Sequence, residues 1–294
     1  MTTSIHTSAI IDPSAQIAED VTIGPFVVIG PNCQIAPGCQ LAPHAVLSEN
    51  VRLAENVLVG SHAVLGSAPQ DFAYKGETSW VEIGANTQIR ESVTIHRATG
   101  EGAVTRVGQN CLLMATSHVG HNGQVGDKVM MANGAVLGGH VSIGDGAVIG
   151  GVVAIHQHVR IGKLVMMSGF SATRQDLPPF MTVDGCPALA RGTNRIGLKR
   201  AGVPLESREA LRRAYQLLWY SAKPMPEAQA ELLERYPNDA YVAELVQFVA
   251  TSKRGIHLPH RTIRTPASDV RTLQQREDAP DAGDAQASDA FVGV

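Results

Sequence analysis

A period of six runs through the first 170 residues and restricts the fold more than any other feature of the chain. Stepping by six from Ile11 gives Ile17, Ile23, Ile29, Ile35, Leu41, Leu47, Leu53, Val59 and Leu65. The series resumes at Ile83, Ile89 and Ile95, and again from Val107 to Met167. Of the 27 positions in this phase from 11 to 167, 24 are aliphatic or Met; Asp71, Glu77 and Glu101 are the exceptions. The next residue is often small, as at Gly24, Gly30, Gly60, Gly84, Gly108 and Gly126. An α-helix repeats at about 3.6 residues and a half-buried strand at about 2, so neither explains the pattern. Short strands joined by tight corners do. Each strand sends one aliphatic side chain inward, and each corner takes small or permissive residues. Three strands close a triangular coil, and coils stack in parallel about 4.8 Å apart, giving roughly nine coils and a prism about 40 Å tall. One coil buries no core, whereas a stack does. The period alone leaves the hand of winding open.

Two stretches, 66–82 (GSAPQDFAYKGETSWVE) and 97–106 (RATGEGAVTR), lose the period and rejoin it in phase. They are expected to be loops on an intact coil scaffold spanning 1–187, which is where function usually sits. Helical spacing and the prolines Pro224, Pro226 and Pro237 predict helices over 206–220, 227–235 and 239–253, within a small helical domain at 188–257. Residues 258–294 are polar, aperiodic and rich in Ala, Asp and Pro, and are expected to be a disordered tail. Charge closes off other classes. With 24 basic and 27 acidic residues, the chain is too balanced for nucleic acid. No apolar run reaches the ~18 residues a membrane span needs. The N-terminus lacks the pattern of a signal peptide. Cys33, Cys39, Cys111 and Cys186 form no CxxC pair, which fits a reduced, cytoplasmic setting.

Between 107 and 167 the period is unbroken, so residues 18 apart stack. His121, Gly139 and Gln157 form one column; Asn122, His140 and His158 form the next. His118 stands just before His121, and His156 adjoins Gln157. A polar ladder without function would look similar. As chemistry, the cluster suits acyl transfer. A neutral imidazole can take a hydroxyl proton. A glycine one coil away admits a ligand close to the backbone, where its N–H meets a developing oxyanion. With no GxSxG and no framed cysteine nucleophile, direct attack by the acceptor is the simpler route. The stacked pairs His140/His158 and His44/His62 also suggest a zinc hydratase, although zinc usually needs three protein ligands and Asn122 stands where the third would be.

The repeat resembles the left-handed parallel β-helix acyltransferases, which are typically trimers. More closely, the chain resembles the acyl-carrier-protein–UDP-N-acetylglucosamine O-acyltransferases of lipid A biosynthesis over about residues 5–255. The motifs are QDFAYKGE (70–77), IRESVTIHRAT (89–99), NCLLMATSHVGHN (110–122), GGHVSIGDGAVIGG (138–151), AIHQH (154–158), QDLPPF (175–180) and NRIGLKRAG (194–202). The resemblance implies a mainly β fold: a left-handed β-helix followed by a small α-helical domain, assembled as a homotrimer. It implies transfer of an R-3-hydroxyacyl chain from phosphopantetheine-bearing acyl carrier protein to the 3-hydroxyl of UDP-N-acetylglucosamine, with no metal and no bound cofactor. By the same resemblance His121 is the general base and Gly139 the oxyanion donor. Gln70 and Asp71 belong to a sugar-contacting loop that reaches over from a neighbouring subunit. His118, His140, His156 and Gln157 line the cleft, Asn194 and Arg200 meet the uridine and phosphate, and Gly169 is an acyl-chain ruler.

Two positions depart from that pattern. Asn122 replaces an Asp found in some members; an amide orients an imidazole but brings no negative charge. Ala73 stands where many members have Lys, with Lys75 nearby. Lys199, Arg200, Arg208, Arg212 and Arg213 are either a dock for an acidic carrier or a solvated helix face. An N-acyltransferase acting on an amino sugar nucleotide and a non-catalytic β-helical scaffold remain as alternatives.

Overall fold

Each hexapeptide spends its six positions in a fixed way. Taking the period-six aliphatic residue as the reference, the residue two before it also points inward and is smaller: Val21, Val27, Cys33, Cys39, Ala45 and Val51 are all fully buried. The residue between the two faces out. Three residues after the reference comes the corner, and it lies in the left-handed backbone region. From Asp20 to His62, and again from Asn110 to Phe170, every sixth residue has positive φ, the non-glycine ones between 52° and 64°. Such φ values are uncommon for L-residues, and Asn, Asp and His tolerate them best. That explains Asn32, Asn50, Asn56, Asn86, Asn110 and Asn122, and equally His44, His62, His140 and His158, at these corners.

The structure is a computed structural model describing residues 3–257; the tail expected over 258–294 lies outside the described residues. Among those described, 28 strands, most of them two residues long, form three sheets of 11, 9 and 8 strands. Successive strands of the coils pass from the first sheet to the second to the third, and pairing within a sheet is parallel except between the last two strands of the first sheet. The fold is a left-handed parallel β-helix with helices at its C-terminal end. The register matches the expected stack: His118 pairs with Val136, Val136 with Ala154, and Ala154 with Ala172.

The two insertions are tighter than the lost period suggested. Strands Val64–Ser67 and Trp80–Ile83 flank the first, leaving 68–79 outside the coils; Thr94–His96 and Val104–Val107 flank the second, leaving 97–103. Trp80–Ile83 and Val104–Val107 pair along their whole length, which adds ladder bonds that a six-residue count overlooks. Both insertions leave the second sheet and return to the third, so they project from the same corner of the prism.

The chain leaves the coils through an antiparallel pair, Met181–Asp184 with Leu189–Thr193, and enters four helices: α1 (Arg195–Arg200), α2 (Leu205–Tyr220), α3 (Met225–Arg235) and α4 (Ala240–Ala250). Periodicity misses α1 because six residues are too few to show one. Its start is marked instead by Asn194, whose Oδ1 caps Gly197 N–H at 2.9 Å. Helix α4 is tied to the last coils by Arg160, which meets buried Asp176 at 3.1 Å and donates to Phe248 O at 3.0 Å. No helix among the described residues is long and apolar enough to cross a membrane.

Asn110 isolates the cost of the corner, since its side chain makes no hydrogen bond among the described residues and its φ is 55°. Asn110→Val is expected to lower stability by about 1–2 kcal/mol, and Asn110→Gly to leave it nearly unchanged. Chemical denaturation midpoints check both.

Candidate active site

The corner shared by the two insertions is also the corner of His121. His121 occupies the first turn position, where other coils carry Pro13, Pro25, Pro31, Pro37 and Pro43, and Asn122 is the left-handed residue after it. Proline is tolerated there because the coil ladder does not use that N–H. Gly139 holds the same position one coil on, and its N–H meets no acceptor among the described residues.

Asn122 is locked by the backbone N–H and C=O of one residue, Thr99. Its Oδ1 accepts from Thr99 N–H at 2.9 Å and its Nδ2 donates to Thr99 C=O at 3.0 Å, which fixes which way the amide faces. His121 Nδ1 lies 2.9 Å from that Oδ1. An amide oxygen only accepts, so Nδ1 carries the proton and Nε2 keeps its lone pair. Nε2 is turned against Gly139: a Cβ built there would sit 2.2 Å from it. The expected column therefore has a steric reason, since only glycine leaves room for the ring. The His121 ring meets His140 edge-on at 5.1 Å between centroids, and His140 stacks on His158 at 4.6 Å.

Asp71 Oδ2 stands 3.9 Å from His121 Nδ1 in the same chain. The first insertion thus covers its own His121, where a reach from a neighbouring subunit was expected. The Ala73 N–H donates to Asp71 Oδ1 at 2.9 Å and holds the carboxyl below its usual range, and the His121 and His140 imidazoles act in the same direction.

A cavity of about 910 Å³ opens beside the corner, along the outer face of the second sheet. Gln70, His118, His121, Gly139, His156 and Gln157 line its upper part. Val136, Ala154 and Ala172 make an apolar wall, and Arg174, Cys186, Pro187 and His257 lie at the far end. Burial first, and then the His96 and His121 imidazoles, push His118 down to about 4; its Nδ1 meets Thr94 Oγ1 at 2.7 Å. Burial likewise lowers His96, His140 and His257. His156 Nδ1 faces the Arg254 guanidinium at 2.7 Å.

The other expected residues lie elsewhere in this chain. Gly169 sits at the corner between the first and second sheets, stacked on Gly151. Asn194 and Arg200 line a separate cavity on the first sheet with Lys199 and Arg208, and Asn194 spends its amide on Gly197 N–H and Leu164 C=O. Arg212 lines a third hollow beside Tyr215, and Arg213 is exposed. Among the described residues, no group of three or more His, Cys, Asp or Glu side chains is placed to hold a metal ion.

Sequence reasoning passed over His96, although it lies 5.2 Å from His118 between ring centroids and lines the cavity. The insertions stretch the register to 24 residues between Thr94 and His118, so a count of 18 does not stack His96 with the cluster. Arg174 follows the last strand of the second sheet, 18 residues after His156, and so belongs to the same stack, whereas His257 reaches the cavity only through the fold of the C-terminal segment, with no local signal.

Residues 176–257 match the family described as UDP N-acetylglucosamine O-acyltransferase, domain 2, and residues 5–70 match the GMPPB C-terminal domain. An acyl-[acyl-carrier-protein]–UDP-N-acetylglucosamine O-acyltransferase of Synechocystis is 44% identical over 164 residues, 56% of this chain and 59% of that protein. The protein of the same name from Gloeothece citriformis is 40% identical over 192 residues, 64% of this chain and 69% of the relative. Among solved structures, LpxA from Acinetobacter baumannii superposes with a TM-score of 0.83 at 38% identity, covering 86% of this chain and 98% of that one.

His118 gives a direct test of the site's electrostatics. From the unfolded value near 6.5 down to about 4, the unfolded chain binds a proton that the folded chain refuses. Stability should therefore fall with decreasing pH across that window, and His118→Gln should flatten part of the fall. An NMR titration is expected to show His118 neutral until pH approaches 4; a midpoint near 6.5 would contradict the burial argument.

Proposed function

The chain belongs to the acyl-carrier-protein–UDP-N-acetylglucosamine O-acyltransferase family, and from that premise we propose His121 as the general base of its acyl transfer and Gly139 as the oxyanion donor. The reaction moves an acyl chain from acyl carrier protein to UDP-N-acetylglucosamine, the first step of lipid A biosynthesis. In this reading the acyl group is R-3-hydroxyacyl and the acceptor is the sugar 3-hydroxyl. The hydroxyl oxygen attacks the thioester carbonyl while Nε2 takes its proton. The carbonyl oxygen becomes anionic and is met by the Gly139 N–H. The C–S bond then breaks, and the imidazolium returns the proton to the departing pantetheine thiolate.

The observation that carries the assignment is the tautomer. Asn122, pinned to Thr99 through both halves of its amide, leaves His121 with its lone pair on the nitrogen that faces Gly139. The missing charge at position 122 has a substitute. Asp71, 3.9 Å from the protonated side of the ring, stabilises the imidazolium as it forms. Orientation and charge, which one carboxylate would combine, are divided between Asn122 and Asp71. Gln70, His118, His140, His156 and Gln157 then position the substrates around the base.

We assign Gly169, Asn194 and Arg200 to the same site through a homotrimer. The third sheet's outward residues are polar: Gln34, Arg52, Glu82, Arg106, Gln124 and Arg160. The first sheet turns out Thr22, Gln40 and Gln88 but also Leu58 and, in an unbroken run, Leu112, Met130, Val148 and Met166; the second turns out Val28, Val46, Val64 and Val136, with Thr94 and His118 between the last two. Their shared corner carries exposed Phe26, Val152 and Phe170. Two apolar faces meeting at an apolar corner suit a closed ring in which the first sheet of one copy faces the second sheet of the next. That arrangement would put Asn194 and Arg200 of one subunit beside the His121 cavity of another, where Arg200 suits a pyrophosphate. The β-helix, 1–187, would then carry the chemistry, and the helical region, 188–257, would dock the carrier in the cytoplasm.

A mass-spectrometric transfer assay with 3-hydroxyacyl carrier proteins of several lengths tests the assignment. Wild type is expected to acylate UDP-N-acetylglucosamine, and His121→Ala to lose about 100- to 10,000-fold. Full transfer by the variant would contradict the base assignment; a preference for the 3-amino sugar would move the acceptor from hydroxyl to amine. Light scattering is expected to give three chains, and Met130→Glu, which puts a charge on the apolar first sheet, to break the assembly and abolish transfer together.

A further inference from the structure

Two charged side chains are buried among the described residues, Asp176 at 1% exposure and Arg97 at 3%. Asp176 is accounted for by Arg160 and helix α4. Arg97 has no part in the chemistry above, yet it stands where the two insertions meet the coils. Its backbone N–H donates to Ser67 O at 2.9 Å, the last strand residue before the first insertion. Its Nε donates to Gly66 O at 3.0 Å, and its Nη2 reaches both the Glu49 carboxylate and Tyr74 Oη, the latter at 3.3 Å. Gly66 makes this possible. Its φ is +82°, and a Cβ there would lie 2.5 Å from Val51 Cγ2 and 2.6 Å from Glu49 O.

Tyr74 links this knot to Asp71. The Tyr74 N–H donates to Asp71 O at 3.1 Å, closing a turn whose carboxylate faces His121. The far end of the same insertion is held separately. Glu77 accepts from Gly100 N–H at 2.8 Å, Glu101 from Thr78 N–H at 3.1 Å, and Thr78 O from Gly102 N–H at 2.7 Å. The Asp71–Tyr74 turn lies between these two anchorages, with Phe72 at its tip fully exposed.

We propose that Arg97 is a positioning residue for the acyl transfer: through Tyr74 it holds the 71–74 turn so that the Asp71 carboxylate stays against His121 Nδ1. The proposal rests on the reading of His121 as base and Asp71 as its charge partner. The planar guanidinium serves three acceptors in fixed directions, which an ammonium on a flexible stem does not reproduce.

A double-mutant cycle in the full-length protein tests it. Arg97→Lys, checked for fold by circular dichroism and for assembly by light scattering, is expected to lower kcat about 10- to 100-fold, as for a misplaced catalytic group, with KM for the acyl carrier unchanged. Tyr74→Phe should move the same parameter by less. In an Asp71→Asn background, Arg97→Lys should cost under about 2-fold, because nothing is left to position. Additive losses in the double variant, or a wild-type kcat for folded Arg97→Lys, overturn the proposal. If Arg97→Lys does not fold, Tyr74→Phe carries the same cycle with the same two outcomes. His121→Ala run alongside separates the claims: full transfer by that variant overturns the base assignment and this proposal with it, whereas additive losses beside an inactive His121→Ala overturn the positioning role alone.

Discussion

An aliphatic side chain must point inward at every sixth residue, and the rest of the molecule follows from that requirement. Sliding one strand by a single residue would expose a side chain such as Leu113 or Leu137 and bury its outward neighbour, at about 1.5–3 kcal/mol for each. Repeated over 24 of the 27 positions in this phase from 11 to 167, the constraint leaves one register. Corners then fall at fixed places, and residues one coil apart are held in contact with no side chain devoted to the purpose. The column of His121 over Gly139 is therefore a by-product of core packing. The scaffold supplies the precision that the chemistry needs.

What the coils do not supply comes from the two insertions. A bare corner would leave His121 with an unfixed tautomer and an imidazolium facing solvent. The 97–103 segment gives Asn122 a backbone to grip, at Thr99, and the 68–79 segment brings Asp71 to the other side of the ring. Both leave from one corner, so they brace each other through Glu77, Thr78 and Glu101 as well as through Arg97. An exposed loop carrying the Asp71 carboxylate would otherwise spend much of its time elsewhere.

The coil architecture was legible in the sequence because it is a one-dimensional code, one inward residue in six. The stacked columns across 107–167 were legible for the same reason. The left-handed corner residue was visible as recurring Asn and His in a fixed phase, but its meaning needed the backbone. Helix α1 was too short to show a period, and His96 was hidden because the second insertion changes the local count from 18 to 24. Asp71 was legible as a motif residue, but the chain from which it reaches His121 was not, since loop direction depends on contacts such as Arg97 with Gly66. Gly169, Asn194 and Arg200 were legible as motif residues too, but a linear motif does not show that they lie off this face of the chain.

The account turns on which nitrogen of His121 holds the proton. Nitrogen-15 NMR of histidine-labelled protein, with His121 assigned by its loss in His121→Gln, reads this directly in the neutral ring. The account predicts a protonated, pyrrole-type Nδ1 held by Asn122 and an unprotonated, pyridine-type Nε2 facing Gly139, with the two becoming alike in Asn122→Ala as the tautomers mix. A proton resident on Nε2 in the wild-type protein would leave no base where the acceptor hydroxyl must lie, and would contradict the assignment of His121.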